Sequence, residues 1–92
     1  KEKKLWSIAD QVIRSSTSVG ANVVEAKSSS SKREYVHFFQ IALKSANETN
    51  YWFLVVKEYC VDLRGEVEKL ENECKEISNV LGASILTMKG KR

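Results

Sequence analysis

Residues 10–26 read DQVIRSSTSVGANVVEA, and the fold turns on how this stretch is interpreted. Its apolar residues recur at helical spacing, yet Ser15, Ser16, Thr17, Ser18 and Gly20 crowd its middle. Ser, Thr and Gly are weak helix formers, and an exposed helix would carry Ala, Glu or Lys in their place. Small residues in a helix make physical sense where another helix must approach closely. The segment is therefore expected to be buried, with the remaining helices packed around it.

Extended in both directions, the pattern predicts a first helix over about residues 3–27. Leu5, Ile8, Val12, Val19, Val23 and Ala26 form one stripe, with Ser16 in the same line. Trp6, Ile13 and Val24 form a second, about a third of a turn away, and Gly20 sits between the two. Lys3, Ser7, Asp10, Gln11, Arg14, Ser18, Asn22 and Glu25 make the remaining polar wedge. Two apolar stripes imply two packing partners. A strand over residues 17–24 is the weaker alternative, because the helical pattern continues on both sides.

Lys27 leads into a serine loop, and Ser31 followed by Glu34 is a capping box. The second helix is expected over about residues 32–60. It is apolar almost all round, which marks it as central or covered by a neighbouring subunit. Ala42 and Ala46, a turn apart, would let a partner helix come near. The chain is expected to break between Val61 and Gly65. A third helix over about 66–89 carries a heptad-like seam of Val67, Leu70, Cys74, Ile77, Leu81, Ile85 (or Ser84) and Met88. Its acidic start (Glu66, Glu68, Glu71, Glu73, Glu76) and basic end (Lys89, Lys91, Arg92) suit the helix dipole. Each helix would be on the order of 35–40 Å long, and short loops make neighbours antiparallel. The expectation is a single all-α domain over residues 1–92, an up-down antiparallel helical bundle.

Composition agrees. Proline is absent and glycine is limited to 4 of 92 residues, which favours long helices. So short a chain builds a modest core, and oligomerisation is a natural supplement. A formal charge of +3, from 15 basic and 12 acidic residues, permits nucleic-acid contact without demanding it. There is no signal peptide and no membrane-length apolar run, so a cytoplasmic protein without membrane partners is expected. The chain starts at Lys1 without an initiator Met, and a preceding segment is expected.

Residues that could carry chemistry are few. His37 is the sole histidine and has no second ligand at metal spacing; it is expected to be a surface or boundary residue. Cys60 and Cys74 lie on apolar seams and are expected to be reduced thiols, too far apart along a hairpin turning near Leu63 for a disulfide. The Asn47-Glu48-Thr49 sequon falls mid-helix and is taken as chance. No phosphate loop, nucleophile elbow or paired carboxylates with a base are present, so no cofactor, metal, small-molecule substrate or enzymatic activity is expected. Arg14, mid-way along the small-residue helix, and Glu48, mid-way along the apolar one, stand out. A charge at such a place is usually paired or at an interface, and Arg14 is expected to meet Glu48 or Glu25. The alternative is an Arg14 solvated on the polar wedge.

Gln11, Arg14, Ser15, Ser18, Val19, Asn22, Val23, Glu25 and Ala26 match in order the pattern Q-x-x-R-[AS]-x-x-S-[IV]-x-x-N-[IV]-x-E-[AG]. Phe38, Phe39, Ile41, Ala42, Leu43, Ser45 and Glu48 match a second, Phe-rich block ending in [IL]-A-[LR]-x-S-x-x-E. The chain thereby resembles, from Trp6 to about Lys89, a bacterial four-helix-bundle family first noticed as reading frames inside intervening sequences of 23S ribosomal RNA genes. Members of that family begin with a helix ahead of the signature helix, for which this chain has no room. The resemblance therefore implies three helices of a four-helix bundle, with the first missing or supplied by another chain. It further implies a ring-like homo-oligomer, a pentamer by expectation. Gln11, Arg14, Ser18, Asn22, Glu25, Ser45 and Glu48 would then specify bundle and subunit contacts. In fold and assembly the family also resembles the accessory proteins of diversity-generating retroelements, which bind nucleic acid through a basic ring; that is a likeness of fold alone.

Two functions follow as expectations. One is an oligomeric protein binding RNA, or else DNA, by phosphate contacts from Lys1, Lys3, Lys4, Lys27, Lys32, Arg33, Lys89, Lys91 and Arg92, all near bundle ends. The other is a structural or protein-interaction module in which those cations are ordinary solubilising charge.

Overall fold

The computed structural model describes residues 2–90, Glu2 through its backbone alone; Lys1, Lys91 and Arg92 lie outside the described residues. Helix α1 spans Glu2–Lys27, α2 spans Lys32–Tyr59, a 3₁₀ turn covers Val61–Leu63, and α3 spans Arg64–Gly90. No strand occurs among the described residues. The start of α2 is fixed as its sequence suggests: the Ser31 hydroxyl accepts from the Glu34 amide at 3.1 Å. The Glu34 carboxylate reaches back one residue beyond the cap, accepting from the Ser30 amide at 3.1 Å. At the other connection α3 begins earlier than expected. Gly65 lies inside its first turn, without positive φ, so the break is confined to Cys60 and the 3₁₀ turn.

The central element is α2. Helices α1 and α3 both pack along it, and their own backbones nowhere approach within 8 Å of each other among the described residues. The molecule measures 50 × 21 × 13 Å. Its radius of gyration, 15.0 Å, exceeds the roughly 12 Å of a compact chain of this length. Three antiparallel helices, with α1 and α3 on α2 but apart from each other, form an open trough, whereas a domain ordinarily closes its core between packed layers. The complete four-helix bundle is thus absent from the described residues.

The core lies toward the α1–α2 loop. Ala26, Phe39, Ala42, Ala46, Cys74, Leu81 and Ile85 form one buried cluster, with Val19, Val23 and Phe53 packed against it. Ala42 and Ala46 are fully buried, which is the close approach their size permits. The expected α3 seam splits in two. Val67, Cys74, Leu81 and Ile85 are buried, while Leu70 and Ile77 stay nearly half exposed on the flank facing α1. The stripes of α1 divide in the same way: Ile8 and Ala26 are buried, and Trp6, Ile13 and Val24 remain exposed.

Candidate functional site

Three features follow from this arrangement: a polar seam, an apolar groove and a basic end. The seam joins α1 to α2 through the small polar residues that made residues 10–26 unusual. The Ser15 and Thr49 hydroxyls, both buried, share a hydrogen bond of 2.8 Å, and Thr49 also donates to the Ser45 carbonyl at 2.8 Å. Ser18 and Ser45 hydroxyls meet at 2.9 Å, and the Asn22 amide donates to the Ser18 carbonyl at 2.8 Å. Arg14 pairs with Glu48 through its terminal guanidinium nitrogen and donates from Nε to Gln11 Oε1 at 3.0 Å. The same Glu48 oxygen accepts from Trp52 Nε1 at 3.1 Å. The Trp52 hydrogen bond, then the Arg14 guanidinium, hold the Glu48 carboxyl below its ordinary 4.5. The structure therefore brings Gln11, Arg14, Ser18, Asn22, Ser45 and Glu48 together on one seam. Glu25 stands exposed and joins none of these side-chain bonds.

A second ion pair escaped the sequence reading. Lys57 of α2 binds Glu71 of α3 at 2.6 Å, with Glu68 at 3.9 Å. Glu71 is 7% exposed. Near it, Cys74 Sγ donates to the Ala46 carbonyl at 3.2 Å, and burial raises the thiol above its ordinary 9.0. Both cysteines are free.

The groove runs between α1 and α3 with α2 as its floor. It comprises two hollows of about 410 and 380 Å³ that share Phe53 and Leu70. Leu5, Trp6 and Ile13 line one wall and Leu63, Val67 and Leu70 the other; farther along, Val19 and Gly20 face Cys74 and Ile77. A Cβ added at Gly20 would meet nothing within 4 Å.

The cations expected to contact nucleic acid are divided between two ends. Lys3 and Lys4 stand where α1 begins, with the Lys4 ammonium 3.4 Å from the Tyr59 hydroxyl. Lys27, Lys32, Arg33 and Lys89 are at the opposite end, on the order of 35–40 Å away. There Lys32, Arg33 and Lys89 line one cleft of about 420 Å³ with Val36, His37 and Gln40. Lys91 and Arg92, which would extend this end, lie outside the described residues. His37, expected to be an ordinary surface residue, is exposed in this cleft, and Gln40 joins it there. Their i, i+4, i+7 spacing from Arg33 was the available signal. Among the described residues no three His, Cys, Asp or Glu side chains group as a metal site, and no helix is long and apolar enough to cross a membrane.

The sequence model of the 23S rRNA-intervening sequence proteins matches residues 1–83. The chain belongs to that family. Among solved structures, a protein of unknown function from the S23 ribosomal protein family of Bacteroides thetaiotaomicron is 36% identical with a TM-score of 0.81. The match covers 85% of this chain and 72% of that one, so more than a quarter of the Bacteroides chain has no counterpart here. No curated protein matches the chain.

Proposed function

We propose that this intervening-sequence protein is a non-enzymatic, homo-oligomeric helical-bundle protein that binds RNA by phosphate contact through its basic ends. The observation that carries the assembly half is the apolar groove. Three helices in an open trough leave Trp6, Ile13, Leu70 and Ile77 facing open space. Contiguous exposed apolar surface of this kind marks a docking site. Its straight, helix-length form suits a fourth antiparallel helix, which would close the trough and complete the up-down bundle. Such bundles would assemble as the ring that the family resemblance implies, a pentamer.

The RNA half is supported by the gathering of Lys27, Lys32, Arg33 and Lys89 at one end. A ring would multiply these groups into a basic rim, giving salt-sensitive and largely sequence-independent binding. The protein would act in the cytoplasm, needing no cofactor or membrane.

Mass measurement of the purified oligomer with and without a structured RNA tests both halves. A discrete oligomer that gains one RNA, and loses it at moderate salt, is the expected result. A monomer would overturn the assembly half. A discrete oligomer that binds no RNA even at low salt would leave a protein-docking module as the function.

A further inference from the structure

The outward face of α2 carries a polar row that the groove and the seam leave unused. Arg33, His37, Gln40 and Lys44 recur at i, i+4, i+7 and i+11, so they align over three turns, and all four are exposed. The carboxylates on either side are engaged elsewhere: Glu34 with the Ser30 amide and hydroxyl, Glu48 with Arg14 and Trp52. At the start of the row Lys89 comes in from α3, so that Arg33, His37, Gln40 and Lys89 share one concave cleft.

Lys89 suits its place, because the C-terminal end of a helix favours a cation. Arg33 does not. It is the second residue of α2, where the helix dipole favours negative charge, so its own helix gives no reason for a cation there. An external anion does. Singly negative ligands would need one such cation; a row extending three turns fits a ligand with repeated negative charge.

We propose that this row is the track of an RNA strand. Arg33 and Lys89 hold phosphates at the start of the strand and Lys44 holds one about 16 Å farther along, and His37 and Gln40 face the ribose 2′-hydroxyls between them. Imidazole and carboxamide groups both donate and accept hydrogen bonds, as a 2′-hydroxyl does. This rests on the RNA-binding reading above and narrows it to one face and one end. It leaves Lys3 and Lys4 as solubilising charge.

The test is fluorescence anisotropy of the full chain with a labelled single-stranded RNA and the DNA of the same sequence, over a salt series. The substituted side chains are exposed, and helical circular dichroism confirms that each variant is folded. Combined Arg33→Gln, Lys44→Gln and Lys89→Gln should weaken RNA binding about 10-fold or more, and should flatten the log–log salt slope by about 2, near 0.7 for each lost phosphate contact. Lys3→Gln with Lys4→Gln should weaken it less than about 3-fold. His37→Ala with Gln40→Ala should lower RNA affinity, leave the salt slope unchanged and narrow the gap between RNA and DNA. Equal losses from the two lysine-containing sets would overturn the track while leaving RNA binding intact, and so would an unchanged affinity after the His37 and Gln40 substitutions. No binding by the unmodified chain at low salt would overturn the RNA-binding reading and the track together.

Discussion

Glu48 joins two helices through one carboxylate oxygen, which takes hydrogen bonds from Trp52 and from Arg14. Its pKa is lowered in the folded chain, first by Trp52 and then by Arg14. A carboxyl lowered on folding contributes stability that is complete above its unfolded value and fades as the pH falls through the folded one. Melting temperature should therefore drop on acidification below about pH 4.5, and Glu48→Gln should flatten that part of the profile. An unchanged acid limb in the variant would show that the pair contributes nothing. Lys57–Glu71 should matter more at neutral pH, since its side chains are 17% and 10% exposed, against 56% and 36% for Arg14 and Glu48. Glu71→Ala strands the Lys57 ammonium between α2 and α3 and should cost on the order of 2–3 kcal/mol, read from urea unfolding. The two pairs differed in legibility for a physical reason. Arg14 interrupts a run of small and apolar residues, whereas Glu71 is one of five acidic residues in the first half of α3. Its position, four after Val67 and three before Cys74, puts it on the buried face, but that shows only once the seam's contact with α2 is known.

The three helices and their turns were legible as elements, because each rests on local signals. The Ser31–Glu34 cap, the period of the apolar residues and the absence of proline all act within a few residues. The halves of each stripe were not distinguishable, since Leu70 and Cys74 obey one spacing and only packing separates them. Cys74 sits where the groove meets α2: it is buried, donates to the Ala46 carbonyl, and burial raises its thiol above 9.0. Cys60 at the end of α2 is only half-buried. Alkylation with iodoacetamide at pH 8 should thus proceed in two stages, followed by mass. One adduct forms promptly at Cys60, and the second appears only at the rate at which α3 leaves α2, accelerating in denaturant. Simultaneous modification of both would show that the α2–α3 contact opens far more readily than its buried cluster implies.

At the scale of the molecule, the contest is between a three-helix trough that is complete in itself and one that another helix closes. A self-sufficient trough would have no use for a mid-helix glycine in open space, since Gly20 lies in the groove wall where an alanine would fit without contact and favour the helix by about 1 kcal/mol. Nor would it keep Trp6 71% exposed beside Ile13. Both residues make sense if a helix lies against α1 at close range. Ile13→Glu and Ile77→Glu, one in each wall, separate the alternatives. In an open groove either charge remains solvated, and stability should change by less than about 0.5 kcal/mol. Beneath a docked helix each would bury an unpaired carboxylate, at a cost on the order of 2–3 kcal/mol or more. For a domain of this size that corresponds to a fall in melting temperature of about 10 °C or more. Leu86→Glu is the control, because Leu86 is 73% exposed and does not line the groove. We expect the two groove variants to melt well below the unmodified protein and to lose its oligomeric mass, with Leu86→Glu melting alongside it. Three indistinguishable melting curves would leave the groove as open surface and remove the basis for a fourth helix.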